Sequence, residues 1–167
     1  APRANVDGVS APATGIIVKY DGSNWVDEVG SNWSSEVNFS LPDEDVFVID
    51  ASGGTPALAG SRSGVGTTLF NMVASPDGKL FVSNTEARNH VRFEGPGSIA
   101  STVRGNIAEN RLTIIDGETV TPYHVNDFID FDLPFGQQVS QKDKDKAIAQ
   151  PGGMVYQNDE LWVLAFG

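Results

Sequence analysis

The sequence predicts an all-β fold, and three observations carry that prediction. Eighteen glycines and nine prolines are spread through 167 residues, a density of chain breakers that long helices do not tolerate. Between them lie short apolar runs rich in Val, Ile and Phe, most of them closed by a turn signal. No helical period extends beyond one or two turns.

Taken in order, residues 15–20 form the first run and end at Asp21-Gly22, a strong hairpin dipeptide. Residues 44–50, E-D-V-F-V-I-D, form the second and are closed by Gly53-Gly54. Residues 69–74 form the third. Ser75-Pro76-Asp77-Gly78 then places Pro and Gly where a tight turn favours them, and residues 79–84 return as the hairpin partner. Residues 111–116 repeat the second run and again reach a turn, at Asp116-Gly117. Met154-Val155-Tyr156 and residues 160–163 make a last hairpin around Gln157-Asn158-Asp159.

The order of these pieces is more informative than the pieces. Val48-Ile49-Asp50 recurs as Ile114-Ile115-Asp116. Met72-Val73 followed by Leu80-Phe81-Val82 recurs as Met154-Val155 followed by Leu161-Trp162-Val163. A four-stranded unit of roughly 40–45 residues, repeated, is the mark of a β-propeller. Here the units are stretched by loops, chiefly 52–67, 86–110 and 125–150. The whole of 1–167 reads as one partial propeller domain, with units near 12–60, 61–118 and 119–167. A β-sandwich would also have many short strands, but it would not explain the ordered recurrence.

Composition excludes many chemistries. Twenty-two acidic side chains against eleven basic ones leave a net charge of −11, which repels nucleic acid and anionic lipid. The absence of cysteine excludes disulfides, thiolate metal sites, iron–sulfur clusters, a thiol nucleophile and covalently attached c-type haem. No apolar run approaches the roughly 18 residues of a membrane span. An acidic, cysteine-free chain opening with Ala1-Pro2-Arg3 rather than Met fits a processed bacterial protein exported to the periplasm or beyond.

Residues 70–84, F-N-M-V-A-S-P-D-G-K-L-F-V-S-N, resemble a blade of the bacterial YVTN-type (YncE-like) β-propellers. In that family an S-P-D-G hairpin leads into a Y-V-T-N strand, and a strand ending in V-I-D follows. Leu80-Phe81-Val82-Ser83-Asn84 stands where Y-V-T-N would. The insert spanning residues 84–95 looks like that of a subgroup of large exported propellers, some of them associated with di-haem peroxidase-like modules. The likeness covers about two thirds of the chain and implies blades of a ring of about seven. Three to four blades' worth of strands are present. The resemblance therefore implies a second polypeptide completing the propeller, or a larger complex, and places any redox chemistry in that partner.

Candidate sites follow from charge and residue type. Arg88, Arg92, Arg104 and Arg111 cluster with Glu86, Glu94 and Glu109 in an otherwise acidic chain. Arginine suits bidentate carboxylate recognition. Joined by Asn84, His90 and Asn110, these residues would line a ligand pocket or else form an Arg–Glu lattice that orders two long loops. No Ser or carboxylate lies at a spacing that would make His90 part of a catalytic triad, so no catalytic residue is assigned. Asp127, Asp130 and Asp132 alternate with apolar residues, and Asp130 and Asp132 would share one side of a strand, where oxygen ligands suit calcium. Gly22-Ser23-Asn24-Trp25 recurs as Gly30-Ser31-Asn32-Trp33, a tryptophan pair for packing or sugar stacking. Residues 142–146, K-D-K-D-K, read as an exposed loop.

The expectation is a non-catalytic binding or docking scaffold whose working surface lies around residues 84–111. A hydrolase or lyase would need Arg88, His90, Arg92 and Glu94 to converge on one cavity. A cell-surface module would instead use the tryptophans and aspartates on glycans or calcium.

Overall fold

Two turns near the N-terminal end show how short polar side chains shape this chain. Asp21 Oδ1 accepts the backbone N–H groups of Asn24 (2.7 Å) and Ser23 (2.9 Å), which closes the turn between β1 (Lys19–Tyr20) and β2 (Trp25–Val26). Those two donors favour the ionised carboxylate and hold Asp21 below its ordinary pKa. The second Gly-Ser-Asn-Trp copy folds back on the first. The Trp33 N–H donates to the Trp25 carbonyl at 2.7 Å, and Asn32 Nδ2 donates to Asn24 Oδ1 at 2.9 Å. Trp25 packs against Tyr20 with ring centroids 5.4 Å apart, and the Trp33 indole N–H donates to Asp27. The tryptophan repeat thus pairs with itself.

A computed structural model describes residues 18–27, 30–37, 44–87, 107–131 and 139–167. They divide into two units, and β1, β2 and the 3-10 turn Ser34–Glu36 belong to the first. The second holds eight antiparallel strands: β3 (Val46–Asp50), β4 (Ala57–Arg62), β5 (Thr68–Ala74), β6 (Leu80–Ala87), β7 (Ala108–Asp116), β8 (Thr119–His124), β9 (Pro151–Gln157) and β10 (Glu160–Ala165). β5-β6-β7-β8 form one four-stranded sheet in sequence order, while β3–β4 and β9–β10 are separate hairpins. The all-β expectation holds. No helix of the described residues is long and apolar enough to cross a membrane.

Three expectations need correction. The loop assigned to 52–67 contains β4, whose A-L-A-G-S-R sequence has no β-branched or aromatic residue to announce it. It is a strand because β3 pairs with it, from Val46↔Arg62 to Asp50↔Ala57. The charged run 142–146 is not all loop, since α1 (Gln141–Lys144) makes one exposed helical turn there. Residues 125–128 and 131 lie in turns rather than a strand, so the alternation expected of Asp127 and Asp130 is not realised.

The internal repeat survives folding with its register intact. Met72 faces Val82 and Val73 faces Phe81 across β5–β6; Met154 faces Val163 and Val155 faces Trp162 across β9–β10. Likewise β3 and β7, both ending in Ile-Asp, each lead a hairpin. Turns differ where length differs. Gly78 at φ 90° completes the turn between β5 and β6, whereas Asn158 and Asp159 at φ 53° and 61° form a two-residue turn between β9 and β10. Asn and Asp tolerate that left-handed region best among non-glycine residues.

The core lies on one face of the four-stranded sheet. Leu80 is opposite Ile115 and Val82 opposite Thr113, so these four side chains share a face. Val82 and Ile115 are buried there with Val46 of β3 and Val65, flanked by Leu69, Leu80 and Val120. On the other face, Phe81 stacks on Tyr156 at 5.6 Å and Ser83 Oγ donates to the Gly152 carbonyl at 2.7 Å. The sheet is packed from both sides, by the β3–β4 region on one and by β9 on the other.

Candidate functional site

The ladder between β6 and β7 brings five of the expected residues into one register. Asn84 pairs with Arg111, Thr85 with Asn110 and Glu86 with Glu109. Alternation then puts Asn84, Glu86, Glu109 and Arg111 on the core-bearing face and Asn110 on the face toward β9. Arg88, His90, Arg92, Glu94 and Arg104 lie outside the described residues, as does Asp132.

Asn84 is part of the packing rather than of an open surface. Its side chain is fully buried, with Nδ2 donating to the Val82 carbonyl (3.0 Å) and to Thr113 Oγ1 (2.8 Å). Thr113 Oγ1 donates in turn to the Val65 carbonyl at 2.8 Å. Val65 N–H donates to Asp45 Oδ2 at 2.7 Å, so one polar chain ties β7 and β6 to the segment after β4. Asn84 Oδ1 has no protein partner and is pressed against Gly66.

Glu86 and Glu109 are two carboxylates directly opposite each other, an arrangement that repels unless a cation intervenes. Arg111 supplies it. Its Nε and Nη2 donate to Glu109 Oε2 at 3.0 and 2.5 Å, and Nη1 lies 3.8 Å from Glu86 Oε2. Thr67 Oγ1 donates to Glu86 Oε2 at 3.1 Å and accepts the Ala87 N–H at 3.0 Å, pinning the end of β6 to the start of β5. The guanidinium is committed to carboxylates of its own sheet. Among the described residues, Arg111, Glu109 and Glu86 form an ion-pair cluster within the sheet. Asn110 is engaged as well, since its Oδ1 accepts the Gln150 N–H at 2.9 Å.

Asp127 and Asp130 are exposed, and no group of three or more His, Cys, Asp or Glu among the described residues is arranged to hold a metal ion. Their neighbour Asn126 does structural work instead. Its Nδ2 donates to the Ile148 carbonyl and its Oδ1 accepts the Ile148 N–H, both at 2.8 Å, so the amide imitates a peptide group in a strand pair. Sequence reasoning missed this residue, and it missed Arg62, which donates to the Gly117 carbonyl and to Glu118 Oε1, each at 2.7 Å. Both contacts join segments twenty or more residues apart, and no local spacing encodes them.

The described arrangement orders strands and loop ends. No protein-family model, no curated protein and no solved structure matches this chain.

Proposed function

We propose that the chain is a non-catalytic binding and docking scaffold, built of propeller-type blades and working within a larger exported bacterial assembly. The observation that carries this reading is the register-matched repeat. Met72–Val82 and Met154–Val163 occupy the same place in two hairpins, and β3 and β7 the same place in two others. Successive elements therefore read as the last two strands of one blade, a full four-stranded blade, and the first two strands of the next. Packing of the central sheet on both faces agrees with blades stacked side by side.

In this reading the binding surface is the connection from β6 to β7. Ala87 and Ala108 are register partners, so residues 88–107 leave and re-enter the sheet at one point. That segment carries Arg88, His90, Arg92, Glu94 and Arg104.

Native mass spectrometry of the chain isolated from its source, followed by denaturing masses of each component, tests the reading. A complex in which this chain is held by another polypeptide supports it. Replacing residues 88–106 by a short Gly-Ser turn is then expected to abolish the complex. A lone, monodisperse, folded monomer overturns it.

A further inference from the structure

The two outer hairpins of the second unit leave complementary apolar surfaces. β10 pairs with β9 alone and β3 with β4 alone, so among the described residues each has a free edge. Neither strand carries an internal Lys or Pro, the residues that usually blunt an edge. Their faces are apolar too. On β9–β10 the side turned away from the four-stranded sheet exposes Val155, Trp162 (61 %) and Leu164 (73 %). On β3–β4 it exposes Phe47, Ile49 (52 %) and Leu58 (65 %).

The chain also contains the template for what covers them. By the internal repeat, β10 corresponds to β6 and β3 corresponds to β7, and β6 pairs with β7. We propose that β10 of one copy pairs with β3 of a second copy, forming a four-stranded sheet β9-β10-β3-β4 that reproduces β5-β6-β7-β8. Leu80↔Ile115 and Phe81↔Ile114 set the register. Transferred by the repeat, they place Leu161 opposite Ile49 of the second copy and Trp162 opposite its Val48.

The same transfer accounts for every exposed apolar residue just named. Phe47, Ile49 and Leu58 of the second copy fall on the composite face that packs against the first copy's β5–β8 sheet. Val155, Trp162 and Leu164 of the first copy fall on the other face, toward the second copy's own β5–β8 sheet. Main-chain bonds along the edge supply affinity, and the alternating side chains supply specificity. Because the two surfaces differ, the contact is head-to-tail, so successive copies close into a ring or continue as a filament. The inference rests on the scaffold reading, of which it names the partner.

The chain has no cysteine, so every thiol in the test is a placed one. Ile49→Cys is mixed with Leu161→Cys, and separately Val48→Cys with Trp162→Cys, under mild oxidation. Adjacent pairs alternate between wide and close spacing, so one of the two mixtures has the close geometry. At least one matched mixture is expected to yield disulfide-linked heterodimer roughly tenfold above Ile49→Cys mixed with Trp162→Cys, whose side chains point to opposite faces. Wild-type protein is expected to sediment as concentration-dependent multimers, and Trp162→Glu with Leu164→Glu to return it to monomer.

Equal yields in matched and mismatched mixtures overturn the inference. So does a wild type that stays monomeric at about 100 µM, far above the micromolar range of weak specific contacts. A monomer that still joins a different polypeptide in the native mass measurement overturns the self-pairing and leaves the scaffold reading standing.

Discussion

Asn84 rests so closely on Gly66 that a Cβ at position 66 would lie 2.3 Å from Asn84 Oδ1 and 2.8 Å from its Cγ. This pair joins the central sheet to the segment leading into it at close quarters. Asn84 cannot yield cheaply, because its Nδ2 is engaged with Val82 and Thr113. Gly66→Ala is therefore expected to cost about 2–4 kcal/mol, combining overpacking with the loss of buried hydrogen bonds. Urea unfolding read by tryptophan fluorescence measures it. A change below about 0.5 kcal/mol would show that Asn84 relaxes without loss.

Ile115 and Ile49 hold equivalent places in the repeat and opposite places in the packing. Ile115 is 3 % exposed, whereas Ile49 is 52 % exposed. Ile115→Ala should destabilise the chain by about 3 kcal/mol through cavity formation. Ile49→Ala should change the stability of the monomer by less than about 1 kcal/mol. The two variants compared in one denaturation series give the contrast directly.

Arg111 is the cation that lets Glu86 and Glu109 face each other. Arg111→Gln is expected to cost about 1–2 kcal/mol at low salt, since it removes a partly buried pair and uncovers a repulsive one. Much of that cost should disappear near 1 M salt, where the Debye length falls to about 3 Å. Adding Glu86→Gln to Arg111→Gln should restore part of the loss, a coupling that a double-mutant cycle reads.

Acid stability offers a further check at the turn between β5 and β6. The Ser75 hydroxyl bonded to Asp77, and then Lys79 at 3.0 Å, hold the Asp77 carboxyl below its ordinary value of 3.8. The folded state thus prefers the ionised form. Its stabilising effect is fully present above the unfolded value and is lost as pH falls through the lower folded one. Asp77→Asn should melt lower than wild type at pH 7, and the gap should close below about pH 4. A gap unchanged down to pH 2 would rule out ionisation as its source.

The sheet cluster was only partly legible in the sequence. Arginine and glutamate counts singled out residues 84–111, but not that Glu86 and Glu109 are strand residues rather than loop residues. β7 begins at Ala108, three residues before its apolar run, because pairing with β6 extends it. Asn84 read as a polar pocket residue, since nothing local reveals that Gly66 and Thr113 close over it. Asp127 and Asp130 read as strand positions because alternation is a necessary sign of a strand and not a sufficient one. The bidentate clasp of Asn126 on Ile148 draws that stretch into turns instead.

What the sequence determined by itself is the type and order of the elements. Strand and turn preferences are local, so V-F-V-I-D, S-P-D-G and L-F-V-S-N identify themselves wherever they occur, and so does their recurrence. Only the tertiary structure decided which copy of each repeated strand is buried. Ile115 and Ile49, or Phe81 and Trp162, carry the same pattern, yet one of each pair is covered and the other is not. Burial depends on what lies across the sheet face, and that is supplied by residues distant in sequence. A repeated motif specifies a strand. Its neighbours specify whether that strand is core or edge.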